Sequence, residues 1–272
     1  AVTGGMIDTP QMSVLRLEQR SGALFATIDD PATRNAISDP LLADFDLLFS
    51  HYRADPAVRA LVLQGNGRIF CAGADLSGKT LGASSDDPHA EMVELSIRGA
   101  RVFGGLHAFP KPVIAVVEGA AMGGGMGLAA CADIVLASPG ASFALSEARL
   151  GLVAAQIAPF VVARLGPATT RRLALTGSRF DAAQAARLGF VDELLADRSA
   201  IDARLDVILT EIRACAPGAL AATKALLNGL AGFDAAAFSQ VAAEVFAEAV
   251  LGEGAEGIAA FKEKRPPAWA TT

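Results

Sequence analysis

One acidic residue lies in a mostly apolar stretch of the sequence. Glu147 follows Phe143-Ala144-Leu145-Ser146 and precedes Ala148-Arg149-Leu150-Gly151-Leu152. A carboxyl group in apolar surroundings loses hydration, and desolvation raises its pKa toward the range in which it can take up and return a proton. An ion pair with Arg149 or another basic residue would instead give Glu147 a structural role, and the residues alone leave both interpretations open.

Two segments of small residues could bind an anion through the backbone. Cys71-Ala72-Gly73-Ala74-Asp75-Leu76 follows a strand pattern, and Gly123-Gly124-Gly125 lies between a strand pattern and a helix pattern. Small side chains let a ligand approach peptide N–H groups, and the first N–H groups of a helix have no intrahelical acceptor. An ordinary tight turn explains each segment equally well. Neither segment matches the P-loop, and GxGxxG is not convincingly present, so nucleotide binding is not favoured.

The remaining reactive side chains form no pattern typical of a metal or thiol site. His51, His89 and His107 are far apart and form neither an HxH nor an HxxxH pair. No histidine follows Cys71 at a recognisable spacing, so a small buried thiol is the simpler interpretation. For Asp75 we expect a role in stabilising the turn rather than in proton transfer.

Alternating strands and helices must position these segments. Strand patterns cover residues 24–28, 60–64, 113–117 and 134–137, and helix patterns cover 38–52, 93–109 and 126–132. From residue 181 onward strong helix formers dominate, over 181–188, 200–215, 217–230 and 234–251. The patterns therefore predict a mixed α/β fold to about residue 195, followed by a helical end.

Composition and charge exclude several functional classes. The 272 residues are 52% hydrophobic and 19% charged, which is a globular composition, and the net charge of −6 argues against a nucleic-acid or anionic-membrane partner. The three cysteines form no CxxC pair, which favours a reducing cytoplasm. We expect no export signal. The most apolar window, 113–137, contains Glu118, Asp133 and the glycine run, so it suits a buried strand–turn–helix better than a membrane span.

Taken in order along the chain, the motifs resemble the crotonase family, the enoyl-CoA hydratases and isomerases. The resemblance is carried by Asp30-Pro31, Arg34-Asn35-Ala36, and the segments 71–76, 123–128, 146–151 and 257–265. It implies an α/β fold, with a crotonase-like spiral of ββα units over residues 1–198 and a C-terminal helical trimerisation region over 199–272. It also implies a homotrimer or a dimer of trimers, and an acyl-CoA substrate whose coenzyme A is not a separate cofactor. No metal is expected.

The resemblance further implies roles for single residues. The family's oxyanion hole matches the backbone N–H groups of Ala74 and Gly124, and its catalytic carboxylate matches Glu147. Ala72, Asp75, Leu76 and Ser77 match positions along the CoA arm, and Phe261 and Lys264 match C-terminal positions that reach CoA, often across a subunit boundary.

The carboxylates are where the sequence departs from the family. Familiar hydratases use two glutamates, and the first of them falls on Gly127. A lone glutamate also resembles the enoyl-CoA isomerases. In contrast, residues 145–152 and Ala155-Gln156-Ile157-Ala158-Pro159-Phe160 resemble the branch that hydrates methylglutaconyl-CoA and isohexenylglutaconyl-CoA.

We expect a hydratase in which Glu147 deprotonates water for attack at C3 and returns the proton to C2. A 3-enoyl to 2-enoyl-CoA isomerase, a thioester hydrolase and a non-catalytic acyl-CoA-binding protein remain as alternatives. Gln156 or Arg149 could contact a substrate carboxylate, although structural roles are the simpler expectation for both.

Overall fold

The framework of the molecule is a set of short strands and longer helices. The computed structural model describes residues 10–76, 87–230 and 234–270. Its strands are β1 (Leu15–Arg20), β2 (Ala23–Ile28), β3 (Ala60–Gly65), β4 (Ile69–Cys71), β5 (Val113–Val117), β6 (Ala120–Met122), β7 (Ile134–Ala137), β8 (Ser142–Ala144), β9 (Phe180–Asp181) and β10 (Glu193–Leu194).

The helices are α1 (Asp39–Tyr52), α2 (Pro88–His107), α3 (Gly124–Ala130), α4 (Ala158–Thr176), α5 (Ala182–Arg187), α6 (Arg198–Ala214), α7 (Pro217–Asn228), α8 (Ala235–Leu251) and α9 (Glu253–Glu263), with 3-10 turns at Glu147–Leu150 and Ala268–Ala270. None of the helices in the described ranges is long and apolar enough to cross a membrane.

In successive strand pairs, the first strand belongs to one sheet and the second strand to another. The larger sheet has the order β1-β2-β3-β5-β7-β10, and the smaller one has the order β4-β6-β8-β9. Strands β3, β5 and β7 pair in parallel, and so do β4, β6 and β8. Each of the pairs β3-β4, β5-β6 and β7-β8 therefore adds one strand to each sheet before the chain turns into a helix. The predicted α/β spiral of ββα units is confirmed.

Both faces of the larger sheet are covered. All five residues of β5 are buried, which explains its unbroken apolar pattern. On one face, Phe45 of α1 belongs to the main apolar cluster. On the other face, α6 packs Ile201 and Leu205 against Phe25 and Val62. The first helix of the predicted C-terminal region, α6, is therefore packed on the sheet. The domain boundary between residues 198 and 199 stays a prediction.

The predicted strands and most predicted helices are present with end shifts of a few residues, but several elements are not predicted, among them β1 and α4. β1 is an edge strand whose sequence alternates Leu with Arg or Glu until its last two residues, and five of its six residues are not buried. In α4, Gly166 has a non-helical φ of 73° and is followed by Pro167. A Gly-Pro pair is typical of a turn, so it hides the helical periodicity on either side.

A buried turn holds the segment after β4 in place. Asn35 is 2% exposed and has a φ of 59°, a conformation that asparagine tolerates better than most residues. Its Nδ2 donates to the carbonyl oxygens of Asn66 and Ile69 at 3.2 and 2.7 Å. Two residues later, the N–H of Ile37 donates to the carbonyl of Gly73 at 2.7 Å. The turn is thereby connected to the small-residue segment.

The C-terminal helices leave apolar side chains uncovered. Phe246 is 70% exposed, Leu251 83% and Phe261 85%. No side chain of α7 is buried, and in α9 the buried residue is Ala260. Large apolar side chains that are exposed on successive helices are compatible with a protein–protein interface.

Candidate active site

A cavity of about 470 Å³ opens between α2, the segment after β4, the start of α3 and residues 146–157. Most of its lining side chains are apolar, among them Met92, Leu95, Phe103 and Ile157. The lining residues on α2 recur three to four positions apart, which places one face of that helix on the cavity. A mostly apolar cavity with a few polar groups is the usual form of a small-molecule site.

The two small-residue segments meet at this cavity. Gly73 has a φ of 95°, and a Cβ atom at this position would lie 2.8 Å from the carbonyl oxygen of Met122 and 3.6 Å from the nitrogen of Gly124. Such a backbone approach requires glycine. Ala74 follows Gly73, and Gly124 begins α3, so the backbones that carry these two N–H groups border the same cavity.

Glu147 lies directly against this turn. A Cβ atom at Gly123 would be 3.0 Å from Oε1 of Glu147, so the carboxylate packs against backbone with no side chain between. Its Oε2 is buried and has no hydrogen-bond partner among the described residues. Burial raises the pKa of Glu147, and its own backbone N–H lowers that pKa by a smaller amount. A carboxylate in this state is a stronger base than one in water.

Arg149 does not neutralise Glu147. Its side chain is exposed, and Nη2 donates to the carbonyl of Thr176 at 3.4 Å. A Cβ atom at Gly177 would lie 2.9 Å from Cγ of Arg149, so the arginine stem packs on that turn. Within the described ranges no salt bridge includes Glu147. The ion-pair interpretation of Glu147 is therefore wrong.

The place of a second glutamate is filled by an aliphatic side chain. A Cβ atom at Gly127 would lie 2.8 Å from Cβ of Ile157 and closer still to Cγ2, with the Phe103 ring at 3.3 Å. Ile157 is buried and lines the cavity. Among the described lining residues, the acidic side chains are Glu147 and Asp75, and Asp75 donates its N–H to the carbonyl of Ile37.

The cavity collects most of the predicted site residues: Ala72, Ala74, Asp75, Leu76, Gly124 and Glu147 line it together. Ser77 lies outside the described residues. Phe261 and Lys264 are on or directly after α9 and are not part of the lining. The roles of all these residues stay predictions. No group of three or more potential metal ligands occurs in the described part of the chain.

Sequence reasoning missed the contribution of α2. Ser96 and Phe103 line the cavity, and Ser96 accepts a hydrogen bond from Gln156. The signal that could have found them is the spacing of Met92, Ser96, Gly99 and Phe103 on one helix face, where two small residues lie between two large ones.

Comparison with known proteins agrees with this geometry. The family model described as enoyl-CoA hydratase/isomerase matches residues 18–272. Pseudomonas aeruginosa AtuE has 42% identity and a TM-score of 0.90 over 95% of this chain and 100% of its own. An enoyl-CoA hydratase/isomerase from Marinobacter aquaeolei has 41% identity and a TM-score of 0.89 over 94% and 99%. The enoyl-CoA hydratase ACTT6 of Alternaria alternata is 31% identical over 247 residues, 90% of this chain and 80% of its own. The chain belongs to the enoyl-CoA hydratase/isomerase family, also called the crotonase family, as its motifs predict.

Proposed function

We propose that the protein adds water across the 2,3 double bond of an enoyl-CoA thioester. The observation that carries this proposal is the Glu147 carboxylate, which has one buried oxygen without a partner and packs against the Gly123 turn at the cavity. Membership of a hydratase/isomerase family and the 31% identical relative that is named an enoyl-CoA hydratase support it.

The backbone supplies the proposed electrostatic stabilisation. Attack at C3 moves negative charge onto the thioester oxygen. The N–H groups of Ala74 and Gly124 would donate to that oxygen, and loss of one such donor costs about 3–4 kcal/mol in comparable sites. Ala72, Leu76 and Ser77 would lie along the CoA arm. The proposed reaction is redox-neutral and uses no cofactor besides the CoA of the substrate.

Glu147 would transfer the proton. Its ionised carboxylate removes a proton from water as the oxygen of that water forms its bond to C3. The electron pair of the double bond moves toward C2 and the thioester oxygen. Glu147 then gives the same proton to C2, which restores the carboxylate and completes the addition of one water molecule. A single carboxylate is sufficient for both proton transfers.

A second candidate function follows from the packing of Ile157 against Gly127. Because Ile157 replaces a second carboxylate, Glu147 could move a proton between carbons without adding water, as a 3-enoyl to 2-enoyl-CoA isomerase does. The mass of the product separates the two reactions, because only hydration increases it.

The first prediction concerns Glu147 and the reaction product. With a panel of straight, branched and glutaconyl-type enoyl-CoAs, we expect a gain of one water, and Glu147→Gln should lower kcat about 10³-fold while acyl-CoA still binds. Mass spectrometry and single-turnover kinetics measure this, with Glu94→Gln on the exposed side of α2 as the control. Retained turnover in Glu147→Gln, double-bond migration without a mass gain, or release of CoA would each contradict the proposal.

The second prediction concerns pH. Hydration requires ionised Glu147, and burial raises the pKa of this group above its ordinary value of 4.5. We therefore expect kcat/KM to increase with pH along a limb that lies above 4.5. Since ionisation of a group whose folded pKa is raised opposes folding, Glu147→Gln should give a gain in thermal stability that is absent below pH 4.5, grows as the pH rises from 4.5 through that limb, and is constant above it. A limb at or below 4.5 would show that another group controls the rate.

The third prediction concerns the backbone donors. Gly73→Ala introduces a Cβ atom 2.8 Å from the carbonyl of Met122 and should displace the N–H of Ala74, lowering kcat about 10²-fold. Gly189→Ala is the matched control, because Gly189 has a similarly positive φ of 78° but nothing within 4 Å of the added Cβ. If both variants lose the same activity, backbone strain rather than the displaced donor is responsible.

The fourth prediction concerns assembly. We propose a homotrimer or dimer of trimers that covers the exposed side chains of α8 and α9, and in which Phe261 and Lys264 reach the CoA bound by a neighbouring chain. Light scattering should give a mass of three or six chains, and Phe246→Ser with Leu251→Ser should lower it. Leu175→Ser, at a residue of α4 that is 77% exposed, serves as the control. A monomeric mass for the unmodified protein would refute this assembly.

A further inference from the structure

We propose that Ser96 and Gln156 form a specificity-determining pair that binds an oxygen acceptor on the acyl group of the substrate. The proposal rests on the proposed function and refines it, since it names the kind of acyl group that the cavity prefers.

The pair connects two separate elements that border the cavity. Nε2 of Gln156 donates to Oγ of Ser96 at 3.0 Å, and the two residues are 60 positions apart in the chain. Ser96 belongs to α2, and Gln156 belongs to the loop between the 3-10 turn of Glu147 and α4. Both side chains are partly buried and both line the cavity.

The surroundings of the pair are apolar. The cavity-lining residues that lie close to Ser96 or Gln156 in the sequence are apolar: Met92, Leu95, Leu152, Val153 and Ile157. A hydroxyl group that accepts one hydrogen bond can still donate its proton, and an amide nitrogen carries two protons. Ser96 and Gln156 therefore offer two further donors, and a purely hydrocarbon chain that excludes water would leave those donors without acceptors. An oxygen on the acyl group would satisfy both.

The position of the pair favours the acyl group over the CoA arm. Phe103 lies beside the reaction end of the cavity, because its ring is within 4 Å of Cβ positions at Gly124 and Gly127. Ser96 is seven residues before Phe103, about 10 Å along the helix. Gln156 directly precedes Ile157, which packs on Gly127. The pair therefore lies next to the side of the cavity that Gly127 and Ile157 form.

The charge of the lining narrows the ligand chemistry. None of the described lining residues is Lys, Arg or His, and the guanidinium of Arg149 is bound to Thr176 instead. Neutral donors bind a hydroxyl oxygen, a keto oxygen or a carboxylate. A carboxylate would in addition place a second negative charge in the cavity of Glu147 and oppose the ionisation of that residue. Neutral oxygen and carboxylate can therefore be told apart by pH.

The test compares 2-enoyl-CoAs that carry a hydroxyl, keto or carboxylate oxygen at successive carbons with unsubstituted chains of equal length. The unmodified protein should give its highest kcat/KM with an oxygenated chain. Ser96→Ala and Gln156→Leu should each lower that kcat/KM about tenfold, the size of one hydrogen bond, and leave the unsubstituted substrate unchanged or improved. Because the residues are paired, the double variant should lose less than the product of the two single losses.

Glu94→Ala, an exposed change two residues from Ser96, is the control. If the best substrate carries a carboxylate, the acid limb of its kcat should lie at higher pH than that of the unsubstituted chain, because kcat reports the enzyme–substrate complex; a hydroxyl or keto oxygen should leave that limb where it is. Equal losses for all substrates in Ser96→Ala and Gln156→Leu would give the pair a structural role and overturn the inference. The same follows if the unmodified protein hydrates unsubstituted chains best, which would leave hydration itself intact. Failure to hydrate any substrate would refute the proposed function first.

Discussion

The site depends on keeping one oxygen of the Glu147 carboxylate buried without a hydrogen-bond partner among the described residues. Burying an ionisable group in apolar surroundings costs free energy, so such a group persists only where the rest of the fold compensates. The backbone around Glu147 accommodates its carboxylate without supplying a charged partner. The absence of a side chain at Gly123 leaves room for the carboxylate, and the arginine two residues later is bound elsewhere. A lysine or arginine in the cavity would stabilise the carboxylate and make it a weaker base.

The fold provides this geometry because each strand pair crosses from one sheet to the other. β3 continues into β4 and β5 into β6, so the segment after Cys71 and the turn at Gly123 are brought beside each other by neighbouring repeats. Their separation is then fixed by two close backbone approaches, Gly73 on Met122 and Gly125 on Cys71. The turn at Asn35 adds a third restraint, since Ile37 bonds to Gly73. Backbone donors need such restraint, because no side chain can adjust their position.

Sequence patterns predict the elements whose structure depends on their own residues. The buried strand at residues 113–117 and the helix over 38–52 are recognisable because each is periodic or uniformly apolar over its own length. Glu147 is recognisable as the one acidic residue in a mostly apolar stretch. The smaller sheet is not predictable in this way, because β4, β6 and β8 have three residues each and form only by pairing with one another. The direction of Arg149 also depends on a distant partner, Thr176, which no spacing reveals.

The family resemblance located the missing glutamate, but only packing explains what its absence means. Gly127 and Ile157 are 30 residues apart in the sequence but pack against each other, so the residue type at one position restricts the residue type at the other. A side chain at 127 cannot enter while Ile157 is in place, and a smaller residue at 157 would leave a void against the Phe103 ring. Changing either position alone costs stability through overpacking or a cavity. A second carboxylate therefore requires both changes together, and that coupling keeps the site with one carboxylate.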